Sequence, residues 1–259
     1  MLAWLRPRRF TPCPQSHAPG QIFETNLITG TIGEYTTSGA TVNAALISGL
    51  SGPQGVAVSG GNLFVTSLNN GTNGTIGEYT TSGATVNAAL VSGLNSPQGI
   101  ALSEGNLFVV TNFNGGTIGK YTTSGATVNA ALVSGLDNPQ GIAVSDGNLF
   151  VVTNFNNGTI GKYTTSGATV NAALVSGLDN PQGIAVSDGN LFVTEFYGNT
   201  IGEYTTSGAT VNATLVSGVV SPNFIAVVDP SVPEPPIGTL LLLGVTAMFG
   251  LKRLLPKLA

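Results

Sequence analysis

The sequence predicts an all-β fold, a five-bladed β-propeller of four-stranded repeats, on three observations. Charged residues make up only 8% of the chain and 36 residues are glycine, while helix formers such as Glu, Lys, Arg and Gln are scarce. Abundant β-branched and turn residues favour strands. The element TIG-x-YTTSGATVNA occurs five times, with its isoleucine at Ile32, Ile76, Ile118, Ile160 and Ile201, giving spacings of 44, 42, 42 and 41 residues. A period of roughly 40–45 residues is that of a four-stranded propeller blade. Finally, Leu149, Phe150, Val151 and Val152 run consecutively, so their strand is apolar on both faces, as in a sheet covered on both sides.

Taken in order, the chain opens with residues 1–20, MLAWLRPRRFTPCPQSHAPG, which lack the 7–15-residue apolar run of a secretory signal. These residues are expected to lie outside the natural mature chain, which then begins near Gln21. The repeats fill 21–230. Within Gly141 to Leu178, GIAVS is a first strand and Asp146-Gly147 a type I′ hairpin turn, since both central positions need positive φ. NLFVVTNF is the second strand, Asn157-Gly158 turns into TIGKYTT, and Ser166-Gly167 turns into ATVNAALVS. GLDNPQ links to the next blade.

The first repeat starts at QIFETNLITGTIGEY and lacks the inner PQGIAVSDG portion, whereas SPNFIAVVD, residues 221–229, follows the last repeat. Phe224 to Val228 is therefore expected to complete the blade begun by Ile22 to Leu50 and to close the ring. The alternative is an open solenoid. Ring closure leaves only short, protected strand edges. The remaining residues, 231–259, carry a charge-free stretch, Ile237 to Leu251, extended by Leu254 and Leu255. That stretch approaches the 17–25 residues a membrane helix needs, which assigns a hydrophobic helix to 237–255. Lys252, Arg253 and Lys257 mark its cytoplasmic end and place the propeller on the other side.

Two resemblances follow from these residues. PQGIAVSDGNLFVV resembles the repeat of NHL-type propellers, and TIGKYTTSG is similar to the repeat of streptogramin B lyases. The likeness covers residues 22–228. The lyase resemblance implies a metal-assisted elimination using a propeller histidine, but His17 is the sole histidine and precedes the repeats. Val232-Pro233-Glu234-Pro235, followed by the apolar segment and its basic end at Lys252 and Arg253, resembles the PEP-CTERM sorting signal. It implies export, transient inner-membrane insertion and cleavage by an exosortase, with the propeller released to the cell surface or the extracellular matrix of a bacterium.

Charge narrows the partners. Between residues 20 and 230, two cations stand against eleven acids, a net charge of −9. Nucleic acid needs clustered Lys and Arg, and this region has none. The single Cys13 excludes an internal disulfide and a cysteine metal site. Asp146-Gly147-Asn148 and Asp188-Gly189-Asn190 resemble calcium loops, yet the same places hold Gly60-Gly61-Asn62 and Glu104-Gly105-Asn106. Hairpin turns explain all four, so neither metal nor cofactor is expected. Sequons at Asn70, Asn73, Asn157 and Asn212 follow from a Thr- and Asn-rich repeat. Tyr35, Tyr79, Tyr121, Tyr163 and Tyr204 recur once per blade, which assigns them to packing.

The loop between second and third strands varies most: LITG, SLNNGTNG, NFNGG, NFNNG and EFYGN. It shares a face with the interblade links, and function commonly lives on such loops. Phe113, Phe155, Phe196 and Tyr197 are candidates to stack on sugars, with Asn112, Asn154 and Glu195 supplying hydrogen bonds. No nucleophile with a base, no paired acids and no phosphate loop stand out. The functional expectation is a non-enzymatic binding or structural protein that contacts exopolysaccharide or other envelope components through repeated weak sites. A lectin-like module with a defined pocket is the alternative, and a lyase or lactonase the third.

Overall fold

In the computed structural model, residues 21–220 and 222–225 are described, except 38, 70, 72, 113–114 and 154–157. They belong to one compact unit spanning 21–229. Blade 1 contains β1 (Gln21–Asn26), β2 (Thr31–Thr36) and β3 (Thr41–Ile47). Blade 2 contains β4 (Pro53–Ser59), β5 (Asn62–Ser67), β6 (Gly74–Thr80) and β7 (Thr85–Leu94). Blade 3 follows with β8 (Pro97–Ser103), β9 (Asn106–Thr111), β10 (Gly116–Thr122) and β11 (Thr127–Leu136), and blade 4 with β12 (Pro139–Ser145), β13 (Asn148–Thr153), β14 (Thr159–Thr164) and β15 (Thr169–Ser176). Blade 5 holds β16 (Pro181–Ser187), β17 (Asn190–Glu195), β18 (Thr200–Thr205) and β19 (Thr210–Ser217). Each sheet is an antiparallel meander in sequence order. The fold is an all-β five-bladed propeller.

Blade 1 shows three strands among the described residues. Of the segment expected to supply its fourth, Pro222–Ile225 carries no strand and 226–228 lie outside the described residues. The hydrophobic helix assigned to 237–255, the sorting residues Val232, Pro233, Glu234, Pro235, Lys252 and Arg253, and residues 1–20 also lie outside them.

Side-chain alternation along the second strand explains the double-sided apolar run. Leu149 and Val151 pack on Ile118, Val133 and Leu136 of blade 3, whereas Phe150 and Val152 pack on Ile184, Leu191 and Val193 of blade 5. The same junction recurs between blades 2 and 3 and between blades 1 and 2. The core is thus a series of interblade layers rather than one central mass.

At the inner strands the backbones meet. A Cβ added to Gly99 would lie 2.7 Å from the Gln140 carbonyl oxygen, and one on Gly141 would lie 2.6 Å from that of Gln182. No rotamer relieves a clash with backbone. Around this contact Thr66 Oγ1 accepts from the Gly55 N–H (2.9 Å) and donates to the Gln98 carbonyl (2.6 Å). Thr194 repeats the arrangement with Gly183 and the Asn223 carbonyl (2.7 Å). Val110 and Val152 hold the same place in blades 3 and 4, fully buried.

The recurrent Gly-x-Tyr has a packing reason. In each blade the tyrosine ring folds over the glycine two residues earlier, so that an added Cβ would sit 2.6–2.8 Å from the ring. Tyr79, Tyr121, Tyr163 and Tyr204 also face the preceding blade and are buried. Between that Gly and Tyr stands Glu34, Glu78, Lys120, Lys162 or Glu203. The glutamates accept from a side-chain amide of their own blade, as Asn62 Nδ2 to Glu78 (2.7 Å) and Asn190 Nδ2 to Glu203 (2.8 Å). The lysines reach across: Lys120 donates to Thr165 O of blade 4 and Lys162 to Thr206 O of blade 5, each over a phenylalanine ring.

The turns match expectation, with Asp146 at φ 50° and Gly147 at φ 70° and like pairs at Glu104-Gly105 and Asp188-Gly189. At the rim, Asn87 Oδ1 accepts from the Ala89 N–H where the register of β6 with β7 shifts, and Asn43, Asn129, Asn171 and Asn212 do likewise. A bulge whose free donor is already taken protects an edge strand from foreign pairing.

Two outcomes are expected. Gly141→Ala lowers stability by about 3 kcal/mol or more in urea unfolding, because backbone must shift. Gly147→Ala, in open space at positive φ, costs about 1 kcal/mol. Burial also raises the pKa of Tyr79, Tyr121 and Tyr163. Tyr204 is pushed from 10.0 up to about 12 by burial first, then by the charge of Glu195 and a hydrogen bond to it. The folded state keeps these protons longer than the unfolded chain. Their contribution is therefore whole below pH 10 and lost as pH rises toward 12, most for Tyr204. Chemical denaturation at pH 8, 10 and 11.5 reads this loss, and Tyr204→Phe flattens it.

Candidate functional site

The variable loops leave the outer ends of the second strands and share their face with the interblade links. Three links turn through a non-glycine residue at positive φ, Ser96, Asn138 and Asn180. Each also holds the glutamine that opens the next inner strand: Gln140 Nε2 donates to Asn138 Oδ1 (2.9 Å) and Gln182 Nε2 to Asn180 Oδ1 (2.8 Å). Gln98 reaches Ser96 Oγ at 3.4 Å. These Ser/Asn-Pro-Gln units fix the floor from which the loops rise. Their recurrence was visible in the sequence as a link, but not the side-chain pairing.

Asn112, directly after β9, joins this floor: its amide donates to Asn138 Oδ1 (3.2 Å) and its N–H to the Ser96 carbonyl (3.3 Å). Phe113, Asn154 and Phe155 lie outside the described residues. The structure therefore places Asn112 in blade 3 and Glu195, Phe196 and Tyr197 together in blade 5.

Blade 5 differs from blades 3 and 4 at Glu195, the last residue of β17. Thr111 and Thr153 stand there in blades 3 and 4, each bonded at 2.7 Å to a threonine on the adjoining strand. Glu195 is buried and its bonds run inward: Oε2 accepts from the Asp179 N–H (2.8 Å) and Oε1 from the Tyr204 hydroxyl (3.4 Å). A carboxylate so held ties the link, the strand end and the tyrosine layer together. It positions the loop it starts.

That loop presents two aromatics. The Phe196 N–H donates to the Asn180 carbonyl (3.1 Å), which pins it to the link. Its ring meets Tyr197 edge to face at 5.5 Å, and Tyr197 is 68% exposed. Asn199, at φ 53°, returns its amide to the Tyr197 carbonyl (3.2 Å). An exposed aromatic face with a rigid base suits stacking on an apolar face of a ligand at little entropic cost. Among the described residues no group of three or more His, Cys, Asp or Glu side chains is placed to hold a metal ion.

Comparison with known proteins bears on the fold and the family. No curated protein matches the chain. Among solved structures, virginiamycin B lyase of Staphylococcus aureus, a catalytically inactive histidine-to-alanine variant with quinupristin, is similar over 81% of this chain and 72% of that one, with 26% identity and a TM-score of 0.60. A nidogen/laminin complex matches at 18% identity, 80% of each chain and a TM-score of 0.66. A gluconolactonase of Xanthomonas campestris matches at 15% identity, 76% of this chain, 73% of that one and 0.63. The last two show the fold alone, and the fold hosts binding as well as catalysis. The family match is more extensive, running over residues 13–231. By its repeats and by that span, the chain belongs to the virginiamycin B lyase family.

Proposed function

We propose that this protein is an exported, non-catalytic propeller of a bacterial cell surface or extracellular matrix. It binds exopolysaccharide or another envelope component through its loop face, after sorting by the segment from Val232 to Arg253 and cleavage by an exosortase. The observation that carries the binding reading is Tyr197, an exposed ring braced by Phe196 on the blade 5 loop, with Glu195 turned inward to hold it. The near-identity of the other blades supports weak, repeated contacts, since several equal sites raise avidity without strong single ones.

Lyase chemistry receives less support. The similar lyase is catalytically inactive when a histidine becomes alanine, and residues 21–230 contain no histidine. The second reading, a lectin-like module with one defined pocket, is favoured by the same Tyr197, because only blade 5 shows this aromatic pair among the described residues.

Binding of the full chain to a glycan array tests both. Repeated weak sites give broad, low-affinity retention that drops no more than about threefold in Tyr197→Ala. A single pocket gives saturable binding to one sugar, lost at least tenfold in the same variant, as expected for a stacking contact of about 1.5 kcal/mol. Turnover of quinupristin by the unmodified chain overturns the non-catalytic reading. Intact mass from the native host tests sorting, with a C-terminus near Pro235 outside the inner membrane as the expected result.

A further inference from the structure

The links on the loop face differ at one position, and that position decides whether an inner-strand glutamine is capped. The residue at the turn of each link stands two before the glutamine: Gly52 before Gln54, Ser96 before Gln98, Asn138 before Gln140 and Asn180 before Gln182. All four adopt a positive φ, from 48° to 65°. Asn138 and Asn180 accept from the amides of Gln140 and Gln182, and Ser96 from that of Gln98. Gly52 has no side chain to offer. Among the described residues the Gln54 amide makes no hydrogen bond to a protein group, although Gln54 is only 9% exposed. No described side-chain nitrogen or oxygen that is sealed from solvent lacks a partner, so the Gln54 amide looks out through the opening that the glycine leaves.

The surroundings hold this amide in place. The Gln54 carbonyl accepts from Thr25 Oγ1 (2.6 Å) and the following Gly55 N–H donates to Thr66 Oγ1 (2.9 Å), which fixes the backbone that carries the side chain. The Gly52 carbonyl accepts from the Leu68 N–H (2.9 Å) and is fixed as well. A Cβ built on Gly52 lies 3.3 Å from Leu68 Cβ and 3.6 Å from Leu27 Cδ1. The space that an asparagine side chain fills in the next links is therefore bordered here by two leucines, one from the blade 1 loop and one at the end of β5. A largely buried amide without a partner is destabilising, and the repeat carries the cap for it at the same position three times.

We propose that Gln54 is a binding residue for a neutral sugar, received between Leu27 and Leu68 at the link into blade 2. The inference rests on the carbohydrate-binding reading of the loop face and adds to it a residue and a ligand class. A primary amide offers an N–H donor and a carbonyl acceptor side by side, which matches two adjacent hydroxyls of a pyranose, one accepting and one donating. The leucines give its C–H face an apolar contact. A carboxylate or phosphate finds no countercharge here. Within residues 21–225 the cations are Lys120 and Lys162, and both are bonded to carbonyls of the turns at Thr165 and Thr206. A few fixed polar groups in apolar surroundings select for a ligand that can pair with them. The other three links are closed by their own side chains.

Retention of the full chain on immobilised neutral oligosaccharides and on uronate oligosaccharides tests the proposal. Gly52→Asn gives Gln54 the cap it lacks, at a φ that Asn138 and Asn180 already tolerate. Gln54→Met keeps the length of the side chain and removes both hydrogen-bonding groups. The expected result is that the unmodified chain retains a neutral glycan, and that each variant loses about tenfold in affinity with its melting temperature unchanged or raised. Gln140→Met, whose amide is already taken by Asn138, keeps the affinity within about twofold. Retention that survives in both Gly52→Asn and Gln54→Met but falls in Tyr197→Ala overturns the proposal and leaves the loop-face reading standing. Tighter retention on uronates than on neutral glycans overturns the ligand class, and with it the proposal. No retention of the unmodified chain on any glycan overturns the proposal and the loop-face reading together.

Discussion

The constraint on which the blade array depends is the backbone contact between successive inner strands. Gly55, Gly99, Gly141 and Gly183 bring each inner strand against the carbonyl of the next, with no space for a single methyl group. The interblade layers can form only because this approach is so short: Leu149 and Val151 reach blade 3 while Phe150 and Val152 reach blade 5. Sheets this close exclude water from both faces, and the apolar burial that results drives the fold. The loops and links inherit their positions from that spacing.

Much of this was legible in the sequence because the repeat states it five times. The 42-residue period, the apolar run at Leu149 to Val152 and the Asp-Gly and Glu-Gly turns each carried one physical meaning, and strand order followed. The tyrosines were assigned to packing, and their position over glycine is what that assignment needed. Pairing details were less accessible. The bonds from Gln140 and Gln182 to link asparagines depend on side chains that periodicity does not orient, and Glu195 gave no sign of turning inward. A carboxylate on a variable loop reads as exposed until its neighbours, the Asp179 N–H and the Tyr204 hydroxyl, are in place.

The seam between blades 5 and 1 shows where repetition stops being informative. The terminal copies are those in which single residues depart: Glu24 for valine in the second strand, and Phe224 for the glycine of the Pro-Gln-Gly-Ile-Ala-Val stretch. Terminal repeats of an array have one neighbour rather than two, so their faces answer to different requirements. Local sequence specifies a blade more securely than it specifies what the first and last blades touch.

The residue between the conserved glycine and tyrosine divides the array in a way symmetry hides. Lys120 and Lys162 fasten blade 3 to blade 4 and blade 4 to blade 5 by charge-assisted bonds across the junction, whereas Glu34 and Glu78 spend their hydrogen bonds at home. Cooperativity in such an array depends on coupling between neighbours, and that coupling is therefore graded along the chain. Under partial denaturation the expected consequence is that the two lysine-bridged junctions, between blades 3 and 4 and between blades 4 and 5, open later than the junction of blades 1 and 2.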